Sequence, residues 1–169
     1  MIVAPKPAPP APHAQALCSI SFSTDAKRPT RVNNEAKACL DSVALSLKQQ
    51  ADAKAVIVAD SDSKEKDIEA KQEKRAVRNK HAKVQDFAAQ RAVNAKYYLV
   101  TDQGIDGSRI TPMTGSGDDQ SAQNYLVPAG ANFSSDVRGA TPVIETKVKP
   151  ETRKALPERH HKRAKAKSE

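Results

Sequence analysis

The sequence predicts an α+β domain: a two-layer sandwich in the order β-α-β-α-β-β, with its helices on one face of a mixed sheet. Three observations predict it. Residues 18–23 alternate between apolar and serine side chains, which is typical of a half-buried strand. Residues 55–59 form a continuous, partly β-branched apolar run, which suits a strand buried on both faces. Apolar residues at helical spacing occur before and after that run.

The first half of the domain follows from these patterns. After the strand at 18–23, a polar connection containing Pro29 leads to Asn33 or Asn34, either of which can cap a helix. The helix then continues to about Gln50, with one apolar face: Ala36, Leu40, Val43, Ala44 and Leu47. The apolar run at 55–59 follows and is predicted to lie inside the sheet.

The second half contains a charged insert at about 64–83. Eight Lys/Arg and four Asp/Glu alternate there with few apolar residues, which predicts an exposed helix. A second amphipathic helix then runs from about Val84 to Gly104, a residue type that commonly ends helices. Residues 109–114 can form a strand, which Pro112 restricts to an edge or a bulge. A polar loop and a last strand at 124–127 complete the fold.

Composition divides the chain into three parts. Residues 1–16 are a Pro/Ala-rich linker, residues 17–133 form the domain, and residues 134–169 are predicted to be a basic, disordered tail. The net charge is +8, and residues 147–169 hold nine Lys/Arg against three Glu. The last ten residues contain no aromatic side chain, so specific nucleic-acid recognition is not expected, and tail binding to anionic surfaces would be salt-dependent.

Targeting signals are weak in this sequence. No apolar run approaches the ~20 residues that a membrane-spanning helix needs. The first residues also lack the continuous apolar core of a signal peptide. Taken alone, this favours a cytosolic protein. The Pro/Ala-rich opening favours the other interpretation, in which the chain is a fragment or has a truncated start.

Two opposite charges suggest a binding site. Asp62 closes the apolar strand, and Arg91 lies on the second helix. Together they could hold a small zwitterion, with its amine on the carboxylate and its own carboxylate on the guanidinium, because charge-assisted hydrogen bonds are strong. Each residue also has a plain structural interpretation. Asp62 could cap the next helix, and Arg91 could pair with Asp86 or another acid.

The same segment resembles the OmpA-like domain, the periplasmic module that grips peptidoglycan. The family pattern is a strand ending in G-[HY]-[ST]-D, a helix with N-x-x-L-S-x-x-R-A, then G-I-x-x-x-R-I. The matching stretches here are Ala59-Asp60-Ser61-Asp62, then Val84 to Ala92, then Gly104-Ile105-Asp106-Gly107-Ser108-Arg109-Ile110. The resemblance covers about 110 residues, roughly 17–127. It implies that Asp62 and Arg91 bind diaminopimelate of the peptide stem, with Asp60 and Asp86 as neighbouring acids in the site.

The resemblance further implies an envelope protein of the periplasm or outer membrane, with peptidoglycan and other envelope proteins as partners. Departures from the pattern leave an alternative open: a structural or interaction domain of the same fold that has lost the ligand, and whose charged insert and basic tail contact a protein partner or an anionic polymer. The family's closing N-R-R-V is Asn124-Tyr125-Leu126-Val127, without arginines. Arg91 follows Asp62 by 29 positions, about twice the family's separation. A straight helix would place them about 20 Å too far apart, so the insert must turn back, near Asn79 to His81.

Remaining chemistry-bearing residues point away from catalysis. The four histidines lie in the tails or the insert, so no nucleophile has a His and acid partner in the domain. His160 and His161 lack further ligands at metal spacing, and we predict no metal, no cofactor and no enzymatic activity. Arg109 is expected to fix a loop or a strand edge. Cys18 and Cys39 can point into one sheet–helix interface, so a disulfide between them is feasible, and two small buried thiols are the alternative.

Overall fold

The computed structural model describes residues 8–151 and contains a five-stranded sheet with helices packed against it. The elements, in chain order, are β1 (Gln15–Ser21), α1 (Asn34–Gln49), β2 (Lys54–Ala59), α2 (Ser63–Arg78), α3 (Phe87–Thr101), a 3-10 turn (Gly107–Arg109), β3 (Ile110–Thr114), β4 (Ser121–Val127), α4 (Phe133–Asp136) and β5 (Thr141–Pro142). The α+β class and the mixed sheet predicted from the sequence are confirmed.

The sheet has the order β1-β4-β2-β3-β5. β2 pairs in parallel with β3 and antiparallel with β4, and β1 and β5 close the two sides by antiparallel pairing. β2 therefore lies at the centre of the sheet, which explains its continuous apolar run. Because β2 and β3 are parallel, the residues that follow the two strands meet at the same end of the sheet. The predicted site lies at this carboxyl end of the strands.

The main core lies between the sheet and the helices α1 and α3. Every second residue of β2 faces it, and it is filled by aliphatic side chains such as Leu40, Leu47 and Leu99. The disulfide that the sequence left open is formed in the structure: Cys18 on β1 is bonded to Cys39 on α1, with their Cα atoms 5.9 Å apart. It ties the outer strand of the sheet to the helix that covers it.

The opposite sheet face is covered by the chain beyond β4. Val56, Val58 and Met113 form a small second cluster, which Phe133 of α4 covers. The Phe133 and Tyr125 rings meet edge to face, with 5.4 Å between their centroids. The sequence ended the domain at residue 133 and assigned residues 134–169 to a disordered tail. That boundary is corrected here, because α4, β5 and the residues up to 151 contact the domain. A few spaced apolar side chains are enough to cover a face this small.

The charged insert folds out and returns. α2 ends at Arg78, and Asn79 closes its last turn through a hydrogen bond from its N–H to the Arg75 carbonyl. The chain then turns back to α3, as the sequence predicted for the region near Asn79. Two α2 side chains hold this return: Glu69 accepts the Phe87 N–H at 2.8 Å, and Gln72 accepts the Gln85 N–H at 2.7 Å. Residues 70–85, which lie between Glu69 and Asp86, are called the α2 arm.

Within residues 8–151, none of the helices is both long enough and apolar enough to cross a membrane. The remainder of the predicted basic tail, with His160 and His161, lies outside the described residues.

Candidate functional site

Asp62 lies at the start of α2, on the edge of an open polar cleft of about 450 Å³. Its carboxylate accepts the Glu65 N–H at 2.9 Å, which caps the helix, and the Gln120 side-chain N–H at 2.8 Å. These bonds to the charged form, the helix N–H first, lower the pKa of Asp62 below its usual value, although partial burial opposes them. Asp118 and Asp119 line the same cleft, which is therefore acidic.

Arg91 lies on α3 and is completely buried, with an exposed fraction of 0%. Its Nε donates to the Pro29 carbonyl at 3.0 Å, and Nη1 donates to the Asp60 carbonyl at 2.8 Å. The guanidinium also lies over the Phe22 ring, 5.3 Å from its centroid. Arg91 thus joins the β1–α1 connection, the end of β2 and α3 from inside the fold.

The counter-ion of Arg91 is Glu65, a residue of the insert. Its two carboxylate oxygens accept from Nη1, at 2.7 Å, and from Nη2, which is the bidentate geometry that arginine favours. The side chain of Glu65 is 6% exposed. The chain therefore supplies from its own α2 the carboxylate that the resemblance assigned to a ligand.

This arrangement corrects the expectation that Asp62 and Arg91 line one cleft. Asp62 lines it, whereas Arg91 does not, because α2 places Glu65 between the guanidinium and solvent. One spacing in the sequence is consistent with this position of Glu65. Glu65 follows Asp62 by three positions, so it lies one helical turn into α2, directly above the strand end that Arg91 contacts. The alternating charges of the segment, however, predict that Glu65 is exposed like its neighbours.

The two neighbouring acids have structural partners as well. Asp60 accepts the Gly117 N–H at 2.7 Å, and this contact is so close that a Cβ at Gly117 would lie 2.8 Å from the Asp60 carboxyl carbon. Asp86 is exposed and caps α3 by accepting the Ala89 N–H at 2.8 Å. Neither lines the cleft at Asp62. The four predicted site residues are therefore neighbours in the fold, but they do not share one open site.

Arg109 fixes a loop, as the sequence predicted. Its guanidinium donates to the carbonyls of Leu47, Gln50 and Ala53, which end α1 and lead into β2, with contacts of 2.8–3.1 Å. Because helix C-termini leave carbonyls without intrahelical partners, this contact satisfies groups that would otherwise be unpaired. In the part of the chain that the structure describes, no cluster of three or more His, Cys, Asp or Glu side chains could hold a metal ion.

The cap at Asp62 leads to a pH-dependent prediction. Because the folded-state pKa is lowered, the stabilisation is complete above the unfolded value of 3.8 and is lost as the pH falls through the folded value. Asp62→Asn keeps a capping side chain but removes the charge. We expect it to lower the free energy of unfolding by less than about 1 kcal/mol at neutral pH. Urea titrations should show this difference shrinking below about pH 4; a constant difference would contradict the assignment.

Comparison with known proteins adds no assignment to this site. No family model matches the chain, and a search of curated proteins found no match. The OmpA-like resemblance therefore rests on the motifs alone, and the ligand and the location that it implies stay predictions.

Proposed function

We propose that this chain is a non-catalytic interaction module of the bacterial cell envelope, with an OmpA-like architecture that has lost the arginine grip on peptidoglycan. The observation that carries the proposal is the environment of Arg91. Four hydrogen bonds engage its guanidinium, and its exposed fraction is 0%. A ligand carboxylate would have to displace Glu65 from a buried pair, and the displaced charge would then need a new partner.

The α2 arm is the surface that this proposal assigns to a partner. Its side chains point largely into solvent, and they include six basic residues: Lys71, Lys74, Arg75, Arg78, Lys80 and Lys83. Val77 is 86% exposed, which is unusual for an apolar side chain on a helix that has a core to pack against. Basic side chains around an exposed apolar one suit an acidic protein surface or an anionic polymer.

Two observations support the envelope as the location. The motif resemblance points to a periplasmic family, and the Cys18–Cys39 disulfide is the kind of bond that persists in oxidising compartments. Both support an exported module, and the disulfide does so independently of Arg91.

A second candidate is binding of the diaminopimelate peptide stem through Asp62 alone. The specific observation in its favour is the cleft. A carboxylate with a lowered pKa lines it, Asp118 and Asp119 add negative charge, and an ammonium group could reach all three from solvent. In this version only the amine end of the ligand is held, and Arg91 has no part in binding.

Sedimentation with purified diaminopimelate-type peptidoglycan tests both candidates. Under the proposal, any retention falls with added salt and with Lys71→Gln/Lys74→Gln in the arm, and it is unaffected by Asp62→Ala. Asp106→Ala is the matched control, because Asp106 also caps a turn and its pKa is also lowered. Asp106 precedes β3, however, and so lies at the opposite end of the strands from Asp62. Salt-resistant retention that Asp62→Ala abolishes and Asp106→Ala preserves would overturn the proposal in favour of the peptide stem.

A further inference from the structure

A groove of about 790 Å³ lies between the β1–α1 connection and α3, away from the acidic cleft. Four of the side chains that line it are basic, three are aromatic and two are acidic. They are Lys27, Arg28, Arg31 and Lys37; Phe87, Tyr97 and Tyr98; and Asp102 and Glu151. The groove is therefore positively charged and has aromatic walls, which distinguishes it from the cleft at Asp62.

A carboxylate of the chain itself already occupies the inner end of this groove. One oxygen of Glu151 accepts the Thr30 hydroxyl at 2.7 Å and the Asn94 side-chain N–H at 3.0 Å. Both partners are buried, with exposed fractions of 2% for Thr30 and 6% for Asn94. Buried polar groups need partners, so this pair forms a preorganised receptor for a carboxylate.

The receptor also recognises peptide backbone. The Asn94 side-chain oxygen accepts the backbone N–H of Glu151 at 2.9 Å, so one amide contacts both the main chain and the carboxylate of a single residue. One turn earlier on α3, Gln90 donates to the Lys149 carbonyl at 2.8 Å. A polyphosphate offers no such N–H and carbonyl pattern, whereas an extended peptide with one acidic residue does.

Across the described residues 8–151, three of the four basic side chains that line the groove form no ion pair. Arg28 is paired with Asp25, whereas Lys27, Arg31 and Lys37 surround a space that Glu151 does not fill. Residues 152–169 of the sequence hold seven Lys/Arg against two Glu, so their net positive charge is an electrostatic mismatch for the same groove. An acidic peptide from another protein would match both the receptor at Asn94 and the basic rim.

We propose that this groove binds an extended acidic peptide segment of a partner protein, and that Glu151 occupies the carboxylate receptor in cis until that segment displaces it. The proposal deepens the assignment of an interaction module but uses a surface separate from the α2 arm and from Asp62. A failure of the groove proposal can therefore be distinguished from a failure of the function proposed for the α2 arm.

The test is fluorescence anisotropy with a labelled Asp-Asp-Pro-Glu-Asp peptide, which keeps the Pro-Glu pair found at Pro150-Glu151, and the full chain. Removing the internal competitor by Glu151→Ala should tighten peptide binding about tenfold, because the receptor is no longer occupied in the unbound protein. In the Glu151→Ala background, Thr30→Val removes one hydroxyl with little change of shape, and it should weaken binding several-fold. Lys27→Glu should also weaken it, whereas Lys48→Glu should not, since Lys48 is exposed on α1 and does not line the groove.

Circular dichroism melting of each variant shows that it is folded. The proposal is overturned if Glu151→Ala does not tighten peptide binding, or if Lys48→Glu weakens it as much as Lys27→Glu does. Inorganic polyphosphate, added as a competitor, separates peptide recognition from general attraction to anions. If it binds Glu151→Ala as tightly as the peptide does and is equally sensitive to Thr30→Val, the groove is a polyanion site instead.

Discussion

Replacing Arg91 with alanine is expected to lower the free energy of unfolding by about 3–5 kcal/mol, which is the usual cost of leaving a buried charge without its partner. The substitution strands the Glu65 carboxylate inside the fold and removes the donor from the Pro29 and Asp60 carbonyls. Glu65→Ala should cost a similar amount, because the guanidinium is then the uncompensated charge.

Urea unfolding followed by circular dichroism measures this loss. The control is Glu145→Ala, which breaks the more exposed pair of Lys96 and Glu145 and should cost less than about 1 kcal/mol. A double replacement, Arg91→Met with Glu65→Leu, should recover much of the lost stability, since apolar pairs often replace buried ion pairs at little cost. If Arg91→Ala costs no more than Glu145→Ala, Arg91 is not part of the core and a ligand role for it becomes plausible again.

Breaking the Cys18–Cys39 disulfide is the second large effect. The bond closes a loop with a sequence separation of 21, and the loop-entropy relation gives a stabilisation of about 3 kcal/mol for loops of this size. We therefore expect the reduced protein to unfold at a clearly lower urea concentration than the oxidised one. The loss should be concentrated at β1, the edge strand that the bond attaches to α1.

Unfolding curves with and without reductant give the size of this effect, and alkylation followed by mass measurement shows whether the two thiols were bonded. The double variant Cys18→Ala/Cys39→Ala serves as the control, because its stability should not respond to reductant. An oxidised protein whose thiols alkylate without reductant, or whose stability is insensitive to reductant, would contradict the disulfide.

Local sequence patterns were enough to predict the fold, because each element buries the face that its own pattern marks as apolar. The alternation at 18–23, the apolar run of β2 and the helical stripe of α1 each state which side of an element is buried, and the packing agrees. The same argument placed Cys18 and Cys39 on faces that meet, which made a disulfide feasible but left two buried thiols as the alternative. Arg109 was expected to fix a loop or a strand edge, but the carbonyls that it contacts end α1, and its local sequence does not indicate that distant partner.

Long-range pairing was beyond the reach of those patterns. The burial of Glu65 depends on where α3 returns, because Arg91 lies 26 positions further along the chain. The alternating charges of the segment alone do not distinguish Glu65 from its exposed neighbours. The same holds for Glu151, which lies 57 positions from Asn94. The covering of the second sheet face was missed because Phe133 and Ala140 are too widely spaced to show a period.

The pairing of Arg91 with Glu65 also constrains how this lineage can change. A mutation at either position alone leaves an uncompensated charge in the interior, so the two residues can be replaced only together or through a poorly folded intermediate. Glu65 belongs to the charged segment 64–83, so deleting that segment would carry the same penalty. The start of α2 therefore cannot be removed unless Arg91 is replaced as well.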